Sequence, residues 1–229
     1  MYCTDHHRPN MTDNRQLHIQ SAPQRGALYK CFADMLSYPT QPLYAQWQAG
    51  ELKQQLSVLL SELPYSIDWS LAGCDMPNFT EWASEFMRLF ELPIDGHPCP
   101  LYGGIYASSR REVMEELLRY YHFFGLTTQG AAQGDLPDSI PTLLEFMQFL
   151  ALRESVSEDV VTARNAQKDL LERHLARWIP SIIAPLKERK PLVFYSDVLN
   201  LLNRFISLEL QAFATESAPS RNSMATPGS

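Results

Sequence analysis

The sequence predicts an all-α protein, a single helical-bundle domain of about seven to ten helices with two long Gly/Pro-rich loops. Three observations lead there. Apolar residues recur with a period of about 3.6 along most of the chain. Glycine is sparse, with 10 in 229 residues, while 45% of the residues are hydrophobic, enough to fill a core. No stretch shows the strict alternation of a half-buried strand.

The polar residues 1–22 are expected to form a mobile tail, as is the Ser/Ala/Pro-rich stretch 214–229, leaving 23–213 as the domain. Leu28, Cys31, Phe32 and Met35 mark a first helix, stopped before Pro39. A second is expected from about Pro42, a residue suited to a first turn, to Leu63. Asn78 and Glu81 are spaced as a capping box ahead of Trp82, Phe86, Leu89 and Phe90. Ser109 and Glu112 repeat that spacing before Val113, Leu117, Tyr120, Tyr121 and Phe124. The fifth helix runs from Ser139 to about Glu154, and Ser157 is placed to cap a sixth that reaches Ile179–Pro180. A short piece over 182–187 and a long helix from Pro191 to about Phe213 complete the set.

A net charge of −7 argues against a nucleic-acid backbone as the main partner and suits a basic peptide or protein. No apolar run approaches the ~20 residues of a membrane span, and the start lacks the apolar region of a secretory signal. The four cysteines are scattered with no CxxC pair, which fits a reducing compartment, so a cytoplasmic location is expected.

Signatures of nucleotide binding, zincin chemistry and di-iron carboxylate bundles are absent. Cys3, His6 and His7 could ligate a metal but stand in the polar tail. His174 shares a helical stripe with Leu171, Leu175, Trp178 and Ile182, where a hydrogen-bonded core histidine competes with a catalytic one. Glu115 and Glu116 point about 100° apart on a helix and make a solvated face. Ser109-Arg110-Arg111 copies the core of a twin-arginine export signal, yet it lies mid-chain and is followed by glutamates.

The candidate binding surface lies in the two long connections, 91–108 and 125–138, which exceed the usual two to eight residues between helices. Tyr102 and Tyr106 offer rigid anchors with polar tips. Asp135, Pro137, Asp138 and Ser139 lead into the fifth helix, where Asp138 can either cap the helix or meet a basic ligand. Pro141 is tolerated there because a first turn donates no intrahelical N–H bonds. Glu145, about 140° around the helix from Ile140, is expected to be partly covered, serving an interior hydrogen bond or the same groove.

Four stretches in order resemble one family. LPDSIPTLLEFMQFL (136–150) and LLERHLARWIPSIIAPL (170–186) are similar to the two signatures of the TorD/DmsD/NarJ superfamily of redox-enzyme maturation chaperones. GALYKCFADMLSYP (26–39) resembles its first helix. CPLYGGIYASSRREVMEELLRYYHFFGL (99–126) resembles the branch that serves type II DMSO-reductase-like molybdoenzymes. The likeness spans roughly 25–210, with Ser139 where the family carries His.

The resemblance implies a chaperone without catalytic activity and with no stably bound cofactor. Its partner would be the cofactor-free catalytic subunit of a molybdenum-dependent oxidoreductase, met in many relatives through the subunit's twin-arginine leader. The client, not the chaperone, carries the molybdenum cofactor, and holding it blocks premature export or assembly. A monomer or a homodimer is compatible with this. The alternative reading is a helical metal-binding protein or enzyme built on His174 and Glu145.

Overall fold

The computed structural model describes residues 11–71, 78–92, 99–126, 136–156 and 159–216. Ten α-helices run through these residues: α1 Met11–Gln20, α2 Ala22–Met35, α3 Gln41–Gln48, α4 Glu51–Ser61, α5 Phe79–Phe86, α6 Arg110–Phe123, α7 Ile140–Val156, α8 Val160–Leu170, α9 Ala176–Glu188 and α10 Val193–Glu216. α5 runs into a π-helical turn, Met87–Glu91, and a second π turn, Leu171–Leu175, joins α8 to α9. A 3₁₀ turn, Gly103–Tyr106, precedes α6.

The expected caps at Asn78 and Ser109 form, each side chain accepting a hydrogen bond from the backbone N–H three residues on. Other expectations are corrected. The tail assigned to 1–22 contains α1, so the helical body starts before residue 23. The single helix expected over 42–63 is two, broken where Gly50 turns left-handed (φ 75°). Ser157 lies outside the described residues, and Asp159 caps α8 by accepting from the Thr162 N–H. The break expected near Pro180 is absent, because α9 continues through both Pro180 and Pro185.

α2 is the centre of the core and packs most extensively on α7. Gly26 lies on this interface, where a Cβ would sit in ordinary van der Waals contact with the Gln148 carbonyl oxygen and the Ala151 Cβ, at 3.4 and 3.5 Å. Tyr29 and Phe32 pack on Phe205 of α10. Phe194 and Tyr195, at the start of α10, join Trp82, Phe86 and Phe90 in an aromatic cluster.

Inside this apolar body sits a buried ionic cluster. Arg25 of α2 donates to Glu154 of α7 at 2.6 Å, to Glu209 of α10 at 3.0 Å and to Gln167 of α8 at 3.1 Å. Arg164 of α8 also pairs with Glu154. Glu209 accepts further hydrogen bonds from Tyr29, Tyr65 and the His18 ring of α1, and the Phe213 ring lies against both guanidinium groups. Burial alone would favour the protonated form of Glu209. The Arg25 charge and the bonds from His18 and Tyr65 outweigh it and pull the carboxyl down to about 2.

Breaking such a cluster from one side leaves charges buried without a counterion. Glu154→Ala is expected to cost about 3–5 kcal/mol of folding stability at pH 7, read as a shift in the urea unfolding midpoint.

Candidate functional site

The first loop expected to bind, of which 99–108 are described, does not hang free but is sewn onto the start of α7. Tyr102 and Ser139 form an antiparallel bridge. Ile140 donates its N–H to the Leu101 carbonyl and Gly103 donates to the Asp138 carbonyl, both at 2.8 Å. The first N–H of α7 is therefore satisfied by backbone from another segment. The Asp138 carboxylate is used elsewhere, in a two-pronged pair with Arg110 of α6 at 2.8 and 3.2 Å. It is fully buried, and Arg110 forms the more exposed half of the pair.

Two glycines make the joint possible. A Cβ at Gly103 would lie deep inside the Trp178 ring of α9. One at Gly104 would stand 2.7 Å from both the Asp138 carboxylate and the Arg110 side chain. Tyr121 closes the other side by donating to the Pro137 carbonyl at 2.8 Å. Pro137 and Ser139 are buried in the joint.

Beside it opens a groove of about 180 Å³, lined among others by Tyr38, Glu91, Tyr102, Ser139, Thr142 and Glu145. Three of the residues expected from sequence thus share one concavity. Glu145 is more exposed than expected; its carboxylate accepts a hydrogen bond from Lys30 at 2.9 Å rather than filling an interior site. Desolvation raises the Glu91 carboxyl above its ordinary value. Tyr106 is half-buried and donates to the Pro100 carbonyl at 3.1 Å, bracing the loop from behind. Asp135 lies outside the described residues. A larger cleft, about 440 Å³, separates α6 from α8 and is lined by Tyr120, Phe123, Phe124 and Asp169 among others.

His174 is buried and stacks on Trp178, with ring centroids 4.7 Å apart. Its nearest carboxylate, on Glu116, is 3.7 Å away and is paired with Arg173. Glu145 pairs with Lys30, whereas the buried His174 Nε2 has no hydrogen-bond partner among the described residues, so the hydrogen bond expected of a core histidine is not made at that atom. Among the described residues no group of three or more His, Cys, Asp and Glu side chains could hold a metal ion. Burial pushes the Cys31 thiol up to about 11, as suits a core residue. Cys3, His6, His7 and Cys74 lie outside the described residues.

Tyr38, Glu91, Arg110 and Trp178 are the contributors that pattern reasoning left out of the site. The Gly103-Gly104 pair was a usable signal, since adjacent glycines before a helix mark a close approach of backbone to side chain.

The chain matches the family described as nitrate reductase delta subunit over residues 46–184. It belongs to that family, and so to the redox-enzyme maturation chaperone superfamily. Among its relatives, the perchlorate reductase assembly chaperone protein of Dechloromonas aromatica (strain RCB) is 28% identical over 214 residues, covering 86% of this chain and 93% of the relative. The chlorate reductase assembly chaperone protein of Ideonella dechloratans is 34% identical over 103 residues, covering 42% of this chain and 53% of the relative. The selenate reductase assembly chaperone protein of Thauera selenatis is 33% identical over the same length, with the same coverage of both chains. No helix among the described residues is long and apolar enough to cross a membrane.

Burial first, then the Arg173 and Arg177 charges, lowers the His174 pKa from 6.5 to about 4. The unfolded chain therefore binds this proton first, and stability is lost as pH falls from about 6.5 to 4. Between pH 7 and pH 4 the protein is expected to lose about 3 kcal/mol that His174→Asn does not lose, measured by urea unfolding at each pH.

Proposed function

We propose that this chain is a maturation chaperone for the cofactor-free catalytic subunit of a molybdenum-dependent oxidoreductase. It acts in the cytoplasm, holding that subunit until the molybdenum cofactor is inserted and so delaying export or assembly. The observation that carries the reading is family membership, together with a relative named for reductase assembly that aligns along 93% of its own length. The three relatives are named for assembly of perchlorate, chlorate and selenate reductases, which favours an oxyanion reductase of the type II DMSO-reductase-like group as client.

The site is suited to holding rather than transforming a partner. The groove beside α7 presents two aromatic walls, Tyr38 and Tyr102, and two carboxylates, Glu91 and Glu145. Aromatic rings supply contact area at low entropy cost, and the carboxylates complement a basic segment such as a twin-arginine leader. The net charge of −7 steers such a segment inward and raises the association rate. The backbone joint between 101–103 and 138–140 keeps the walls in place before binding, which limits the ordering cost.

Co-expression tests this. The chaperone is expected to co-purify with the cofactor-free catalytic subunit of its host's reductase and not with the cofactor-loaded form. Tyr102→Ala should weaken that capture at least tenfold, by removing a groove wall. Tyr106→Ala should act through loop stability, lowering the unfolding midpoint as well as capture. Undiminished capture by a folded Tyr102→Ala protein would remove the groove from the reading.

A further inference from the structure

Ser109-Arg110-Arg111 is a motif that the proposed function leaves unused. Its two arginines are held in opposite ways. The Arg111 side chain is 88% exposed and pairs with Glu115, one turn along α6. Arg110 turns inward. Its Nε and Nη2 donate to the two carboxylate oxygens of Asp138, at 2.8 and 3.2 Å, and its guanidinium carbon lies 5.4 Å from the Tyr102 ring centroid.

The geometry around this pair is that of a built receptor for a planar cation. Asp138 is fully buried, while the Arg110 side chain is 38% exposed and forms the solvent-facing half of the pair. Gly104 is a glycine where a Cβ would press on both partners. Tyr102 supplies the aromatic face, and Tyr102 and Ser139 also line the neighbouring groove, so slot and groove share a wall. A carboxylate that accepts two parallel N–H bonds, with an aromatic ring against the same guanidinium, matches a guanidinium fork and not a compact ammonium.

We infer that Asp138 and Tyr102 form a guanidinium-binding slot that the free chain fills with its own Arg110, and that an arginine of the client's basic segment takes the slot by displacing it. The identity of that partner rests on the chaperone reading; the chemistry of the slot does not. The internal occupant lowers apparent affinity by the fraction of time the slot stands open. A lone arginine therefore competes poorly. An arginine whose neighbours also engage the groove gains enough to win, which makes recognition depend on the segment and not on charge alone.

The test uses the full chain with two probes, methylguanidinium and a short peptide carrying adjacent arginines. Arg110→Ala is expected to bind the peptide at least ~10-fold more tightly than the unsubstituted protein, read by fluorescence anisotropy. Millimolar methylguanidinium should raise the Tm of Arg110→Ala more than that of the unsubstituted protein, while methylammonium should not. Combining Asp138→Asn with Arg110→Ala should abolish both gains.

Equal or weaker peptide binding by Arg110→Ala, or a guanidinium effect that survives loss of the Asp138 charge, would overturn the inference. Should Arg110→Ala fail to fold, Arg110→Lys carries the test, since it keeps the charge but loses the fork. Tighter peptide binding than the unsubstituted protein supports the slot, and equal or weaker binding refutes it. Client capture by the unsubstituted protein is scored separately. A slot that passes with no client captured would sink the chaperone reading alone, and a captured client with a failed slot would sink this inference alone.

Discussion

The arrangement depends on two carboxylates that meet arginines in an apolar interior. Glu154 and Glu209 each meet Arg25, and through Arg164, Gln167, His18 and two tyrosines they tie α1, α2, α7, α8 and α10 to one point. A buried ion pair adds little net stability over a well-packed apolar equivalent, because desolvation offsets the attraction. Its effect is on alternatives: a helix that slides or rotates by one residue strands a charge in the core. The cluster thus fixes the register of α7 on α2, and with it the position of the α7 N-terminus about 20 Å away along the helix, given ~1.5 Å per residue.

The α7 N-terminus borders the candidate groove. Helix starts expose backbone N–H groups that need partners. Here the Leu101 carbonyl accepts from the Ile140 N–H, Gly103 donates back to the Asp138 carbonyl, and the Asp138 side chain holds Arg110. Gly103 lets Trp178 of α9 pack directly on this segment, so three distant stretches of chain converge there. The abrupt Pro137-Asp138-Ser139-Ile140-Pro141 entry places a rigid corner beside the groove and keeps α7 buried behind it.

Much of this was legible in the sequence and some was not. The period-3.6 patterns place α2, α5, α6, α7 and α10 within a few residues, because each buries an amphipathic or wholly apolar face. α1 was illegible: MTDNRQLHIQ has no apolar stripe, and its place depends on His18 meeting Glu209, 191 positions along the chain. Gly50 was passed over because the flanking apolar spacing continued across it. Pro180 misled in the other direction, since a helix that gains from burying Trp178, Ile179, Ile182 and Ile183 tolerates the lost N–H. At the site, Tyr102 was picked out by loop length and residue type, Ser139 by its place at the helix start and Glu145 by its turn around the helix, and the three line one groove. Asp138 was left between cap and ligand contact because its partner, Arg110, stands on another helix. No local pattern joins a carboxylate to a cation 28 residues away.

We propose that a pre-formed groove and slot at the α7 N-terminus receive a basic segment of an immature reductase subunit. Hydrogen–deuterium exchange of the chaperone, alone and in complex with the cofactor-free catalytic subunit of its host, tests it most directly. The account predicts slowed exchange over 99–106 and 136–145, with the distant face of α8 and α10 unchanged. Slowed exchange confined to the α6–α8 cleft, or unchanged exchange at 99–106 and 136–145 in an intact complex, would contradict it.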